Sequence, residues 1–254
     1  MRNQGRDFQQ LQKTQRQMKL ARHKASEEDA DPSIEETLAG QVRRHILSGR
    51  LPPGTKLGEE MLTEVFAVNR SRIRRVLQIL AFDRLVELKA NRGAFIASPS
   101  IKEARDVFEA RRVIERVTTE IVARTILTPQ LIELGRIVEK QRDASVQGES
   151  REVIGLAGDF HRYLCGLAHN TALAQVLEPL ILRTALIIAL YGTSQAAVTM
   201  YEHHARLLQL IESGKSLEAA RAMEQCLYVL ESTLDLRERH RREPDLKSLL
   251  TMIS

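Results

Sequence analysis

The chain has 254 residues and a formal net charge of +5, with 43% hydrophobic and 28% charged side chains, enough for two domains of ordinary size. Two cysteines and an N-terminus without an apolar leader exclude a disulfide-built secreted fold and point to a cytoplasmic protein. No run of about 20 apolar residues is present to span a membrane, the nearest, around residues 185–191, being far shorter.

The charge is unevenly placed. Residues 34–99 hold 11 basic and 7 acidic side chains, against 20 and 21 in residues 100–254, so a polyanion would meet the N-terminal part. Residues 1–33 read as a disordered basic arm, either a solvated tail or a segment resting on DNA phosphates. Ser33, followed by Glu35 and Glu36, has the pattern of an N-cap with acids in the first turn. Leu38, Val42 and Ile46 then recur at helical spacing up to Ser48-Gly49, and Leu51-Pro52-Pro53-Gly54 makes a turn.

Glu59 to Phe66 predicts a short helix with Met61, Leu62, Val65 and Phe66 inward, and Ala67-Val68-Asn69 leads into a second helix ending near Asp83. Two short helices around a three- or four-residue turn are a helix-turn-helix pattern. Leu85 to Leu88 and Ala94 to Ala97 are strand-type runs around Ala90-Asn91-Arg92-Gly93, which predicts a hairpin wing. In the second helix, Arg70, Ser71, Arg72, Arg74 and Arg75 crowd the first two turns while Ile73, Val76, Leu77 and Leu80 keep one face apolar. That predicts arginines projected together toward base edges and phosphates, against the plainer reading of a solvated basic face.

Pro99-Ser100 closes this unit as a linker. Beyond it no strand is expected, and six helices are, at about 101–125, 129–146, 150–168, 171–191, 195–213 and 216–238. The fold class is therefore mainly α, a winged helix-turn-helix over residues 34–99 followed by an all-α bundle over 100–240 and a tail over 241–254. Helical phase puts His161 on one stripe with Ile154, Ala157, Gly158, Leu164 and Cys165, His204 with Met200, Leu207, Leu208 and Ile211, and Cys226 with Ala219, Met223, Leu227 and Leu230. Each alone reads as a core side chain. Together they are the usual ligands of zinc and related divalent ions, with coordination left open for a metabolite or water.

The run from Leu51-Pro-Pro-Gly through Val68-Asn-Arg-Ser-Arg-Ile-Arg-Arg-Val-Leu to Asn91-Arg-Gly-Ala-Phe closely resembles the winged helix-turn-helix of GntR-family regulators. The resemblance implies that Arg70, Ser71, Arg72 and Arg74 meet bases and phosphates, with Arg75 beside them, and that Arg92 and Gly93 form a wing tip at the minor groove. Arg72 and Arg75 depart from the family pattern, which more often has Pro and Glu there. Asp159-Phe-His161, Ala168-His-Asn170, His204 with Leu207-Leu208, and Ala219, Ala220 and Met223 are similar to the ligand-binding domain of the FadR-like branch. Members of that branch commonly hold a metal with one Asp and three His. Here the Asp position is Ala157 and the last His position is Cys226, so a zinc-favouring site of His161, His204 and Cys226 and a metal-free pocket both stand as expectations.

Arg111, His161, Asn170, Arg183 and His204 are the candidate effector contacts. Either arginine could grip a carboxylate, although Arg111 can equally pair with Glu115 within its own helix. The combined expectation is a metabolite-responsive transcription factor, read as a repressor, that binds a palindromic operator in double-stranded DNA as a homodimer and is reset by a small metabolite such as an organic acid. Two alternatives are an architectural DNA-binding protein without an effector and a metal-dependent enzyme on His161, His204 and Cys226. For the latter no general base is placed beside the ligands, so a non-enzyme is expected.

Overall fold

In the computed structural model, which describes residues 32–47, 49–193 and 200–237, the chain divides into two compact units. The described residues through His45 form one together with Gly54–Ala97, and Ile46–Pro53 and the described residues from Ser98 onward form the other. Residues 1–31 of the predicted arm, the predicted tail and the predicted start of the fifth bundle helix at 195 lie outside the described residues, while the last two arm residues, 32 and 33, are helical.

The N-terminal unit has the order α1 (Pro32–Leu47), β1 (Lys56–Leu57), α2 (Glu59–Phe66), α3 (Arg70–Phe82), β2 (Val86–Lys89) and β3 (Gly93–Ile96). Helix α1 starts one residue before Ser33. The expected hairpin is a three-stranded antiparallel sheet in the order β1-β3-β2. Val86 pairs with Ile96 and Leu88 with Ala94, while Leu57 lies opposite Ala94 from the other side. Two residues are too few to show an alternating pattern, which is why β1 is invisible to sequence periodicity. Leu38, Val42, Ile73, Leu77, Leu80, Leu85 and Ile96 are buried.

Helix α2 contributes less to this core than expected. Leu62 and Phe66 are half-buried, whereas Met61 and Val65 are 67% and 69% exposed. An eight-residue helix has room for one inward stripe, and Leu62 and Phe66, four apart, occupy it. The turn into α3 passes through Ala67 in the left-handed region, at φ 51°.

The second unit contains α4 (Ile101–Thr125), α5 (Thr128–Val146), α6 (Ser150–Leu167), α7 (Thr171–Tyr191), α8 (Met200–Glu212) and α9 (Ser216–Ser232). Ser100 begins it with a capping box, its hydroxyl accepting from the Glu103 amide while the Glu103 carboxylate accepts from the Ser100 amide. Helix α4 is central and packs against α6, α7, α8 and α9, which explains why polar side chains along it, Arg111, Glu115, Thr118 and Thr119, are buried. One apolar cluster gathers Phe108, Val153, Ala157, Ile187, Met200 and Leu230, another Leu134, Phe160, Leu164, Leu207 and Met223.

Two expectations need correction. The last helix stops at Ser232 and does not run on to 238: Leu234 forms an antiparallel bridge with Gly192, and the Asp235 amide donates to the Tyr191 carbonyl at 2.8 Å. Helix α7 is long and apolar enough to cross a bilayer by length and composition, with Glu178, Pro179 and Arg183 breaking the run that sequence reading looked for. It packs against α4 and α6, with Leu177, Ile181, Leu182 and Leu186 buried.

Candidate nucleic-acid interface and buried polar network

Helix α3 is fixed at its start by Asn69, whose side chain accepts from the Arg72 amide at 2.8 Å, and along one face by the burial of Ile73, Val76, Leu77 and Leu80. Arg70, Ser71 and Arg74 are exposed. Arg72 is not: it is 6% exposed, with Nε 3.4 Å from the Glu35 carboxylate, which also accepts from Arg75 Nε at 2.9 Å. The picture of arginines projected outward together therefore fails for Arg72. It stands four residues before Val76, so the helical period places it on the buried stripe, where a nearly buried Glu35 from α1 meets it. Arg75 is half-buried, shared between that carboxylate and solvent.

Behind the exposed arginines lie carboxylates that sequence reading did not connect to them. Arg74 Nε donates to both oxygens of Glu59, at 3.2 and 3.0 Å, and Arg70 Nη2 donates to Glu60 at 3.3 Å. The signal was the acid pair opening α2, but only the turn angle between α2 and α3 decides which acid meets which arginine. In the wing, Arg92 and Gly93 are exposed at the tip, with Asn91 at φ 58° and Gly93 at φ 92° making the tight turn.

In the helical unit, Arg111 and Glu115 lie one turn apart on α4. Arg111 Nε donates to Glu115 at 2.7 Å and Nη1 donates to the Thr184 hydroxyl at 3.0 Å, leaving Nη2 buried without a partner. The other Glu115 oxygen contacts His161 Nδ1. His161 Nε2 faces His204 Nε2 at 3.3 Å, and His204 Nδ1 lies 2.9 Å from Gln141 Oε1. Phe160 stacks on His204 with ring centroids 4.2 Å apart. With neutral imidazoles this chain has one consistent polarity: Nδ1–H of His161 donates to Glu115, and Nε2–H of His204 donates to His161. His204 Nδ1 then needs a donor, which the Gln141 amide nitrogen, otherwise buried without a partner, supplies when the amide is turned over.

Electrostatics follow from this packing. Burial works to raise Glu115, but the Arg111 charge and the His161 contacts outweigh it and hold the carboxyl at about 2. Burial pushes His161 down against the opposing pull of Glu115, and pushes His204 well down, with His161, Arg111 and His203 adding to the effect. Cys226 is pushed up to about 12 by burial and then by Glu115.

Arg111 and His161 line a small cavity of about 20 Å³ with Thr184, Ala157, Ile188 and Met200. The other candidate contacts lie elsewhere. Asn170 is exposed and caps α7, accepting from the Leu173 amide at 3.1 Å, and Arg183 pairs with Glu103 at 3.5 Å. The expected zinc set is also not assembled. The His161 and His204 Nε2 atoms face each other, Ala157 stands where a carboxylate would be required, and among the described residues no three His, Cys, Asp or Glu side chains are grouped to hold a metal. The residues present do not fit the metal centre that the resemblance implies.

Comparison with known proteins covers both units. A family model described as bacterial regulatory proteins, gntR family, matches residues 34–96, and one described as FCD domain matches residues 106–228. The HTH-type transcriptional regulator YdhC of Bacillus subtilis is 28% identical over 184 residues, 71% of this chain and 81% of that protein. The gluconate operon transcriptional repressor of Bacillus licheniformis is 31% identical over 105 residues, covering 41% of this chain and 43% of the repressor. In fold, a GntR regulator from Rhodococcus sp. RHA1 superposes with a TM-score of 0.72 at 20% identity, covering 82% of this chain and all of that one. Escherichia coli McbR/YncC gives a TM-score of 0.69 at 15% identity, covering 80% and 95%.

Proposed function

The chain belongs to the GntR family of transcriptional regulators, with an FCD domain as its helical unit, and from that premise we propose that α3 reads an operator while the Arg111 cavity receives the effector. It is a regulator and not an enzyme. The observation that carries the DNA half is the exposure of Arg70, Ser71 and Arg74 on a helix whose opposite face is locked by Ile73, Leu77 and Leu80. An N-terminal turn so presented suits the major groove, where Arg meets guanine O6 and N7 bidentately. Arg92 and Gly93 at the wing tip supply a second contact, Arg75 a partial one, and Arg72 acts as a helix anchor.

The protein acts as a homodimer on a palindromic site, since a two-fold protein matches a two-fold operator. It works in the cytoplasm beside its DNA, and as a repressor, as the gluconate operon relative does by name. The effector is a small organic acid, because Arg111 is buried with Nη2 unpartnered and Thr184 and His161 beside it. The free space holds about one water-sized group, so a larger acid enters by displacing the flexible side chain of Met200. Direct contact with Arg111, not a metal, holds it. Helix α7 offers a route outward: Thr184 meets Arg111, and two turns on Tyr191 donates its hydroxyl to the Pro99 carbonyl at 2.9 Å. A ligand that repositions α7 thereby acts on the linker and shifts the population of DNA-competent molecules.

Fluorescence anisotropy on a duplex enriched by the wild-type chain from a randomised pool tests the DNA half. Arg74→Ala is expected to weaken binding by about 1–3 kcal/mol, the value of one bidentate base contact, with the melting temperature unchanged. Wild-type affinity in the folded variant would sink the assignment of α3.

A further inference from the structure

We infer that Glu59 is a positioning residue for DNA readout, holding the Arg74 guanidinium away from phosphates and aimed at base edges. The inference rests on α3 being the DNA-reading helix. Glu59 and Glu60 open α2, while Arg70 opens α3 and Arg74 follows one turn later. Both oxygens of Glu59 accept from Arg74 Nε, at 3.2 and 3.0 Å, so the bond engages the inner edge of the guanidinium. The Arg74 side chain is still 66% exposed, and Glu59 engages Nε, leaving the two terminal amino groups to other partners. Those groups make the fork that matches guanine O6 and N7.

Phosphate attraction scales with the net positive charge a side chain can bring, because it is driven by counterion release. An arginine already paired to a carboxylate brings little net charge, so its value to an arbitrary stretch of backbone falls. Its hydrogen-bonding fork is untouched, and holding the side chain in one orientation removes part of the ordering cost of a base contact. The pair therefore exchanges sequence-independent affinity for discrimination, and the acid works by penalising the wrong partner as well as by orienting for the right one. Glu64, exposed on the same helix and outside both pairs, carries the same charge without holding an arginine.

The test uses the full chain, titrated by anisotropy over a range of salt concentrations against two duplexes: one enriched by the wild type from a randomised pool, the other of random sequence. Glu59→Gln is expected to tighten random-duplex binding several-fold and steepen its salt dependence by about one phosphate contact. Binding to the enriched duplex stays level or weakens, so the ratio of the two affinities falls about tenfold. Glu64→Gln should shift both duplexes alike and leave the ratio unchanged. An unchanged ratio in Glu59→Gln, or an equal fall in Glu64→Gln, overturns the inference while leaving α3 as the reading helix. Failure of the wild type to enrich any duplex overturns the reading-helix assignment and this inference with it.

Discussion

Glu115 should give the helical unit a pH-dependent stability that one substitution removes. Its carboxyl is held at about 2 in the folded chain against an ordinary 4.5, because Arg111 and His161 outweigh the cost of burial. A depressed carboxyl pKa stabilises the fold above pH 4.5, and the contribution is lost as pH falls toward 2. At 1.36 kcal/mol per unit, the fall from pH 4.5 to pH 3 removes about 2 kcal/mol. Glu115→Gln lacks this term and leaves the buried Arg111 charge without its carboxylate, a loss of about 3–5 kcal/mol near neutrality. His161 and His204, both pushed down by burial, act at higher pH: the unfolded imidazoles take up protons below about 6.5 and the folded ones do not. That slope has the same sign and survives in the variant. The assay is urea unfolding followed by tyrosine fluorescence, which reports this unit alone, since the chain has no Trp and its four tyrosines are Tyr163, Tyr191, Tyr201 and Tyr228. The stability gap between wild type and variant should narrow by about 2 kcal/mol from pH 5 to pH 3. A gap that stays constant over that interval refutes the proposed ionisation of the network.

Three further predictions concern single residues. Glu35→Ala removes the nearly buried carboxylate that meets Arg72 and Arg75 and should cost the N-terminal unit about 3 kcal/mol. It would appear as faster hydrogen exchange along α3, and unchanged exchange would contradict the anchoring role of Arg72. Ala67→Gly relieves a left-handed residue at φ 51° and should stabilise the same unit by about 0.5–1 kcal/mol in thermal melts; a lower melting temperature would argue against strain there. Cys226, buried and with its thiol pushed up to about 12, should resist thiol reagents at pH 8 until the chain unfolds, and rapid alkylation of the native protein would show that the thiol is accessible.

The helices and turns of this protein are written locally. The apolar residues of α3 and of α4 to α9 recur with the helical period, so the helix-turn-helix and most helix positions were legible from spacing, whereas β1 was not. The run of residues carrying the GntR resemblance lies within the segment that the family comparison matches. What spacing cannot carry is the identity of a neighbour brought in from a distant part of the chain. Helix α9 ends at Ser232 because Leu234 finds Gly192, and Arg72 turns inward because Glu35, on another helix, is there to receive it. The same limit separates stripe from site in the bundle: phase correctly put His161, His204 and Cys226 inward, but depth along each helix decided that the two histidines meet each other and no three-ligand group forms among the described residues. A helical period fixes direction about one axis, whereas a site requires several axes to be placed together, and only tertiary packing does that.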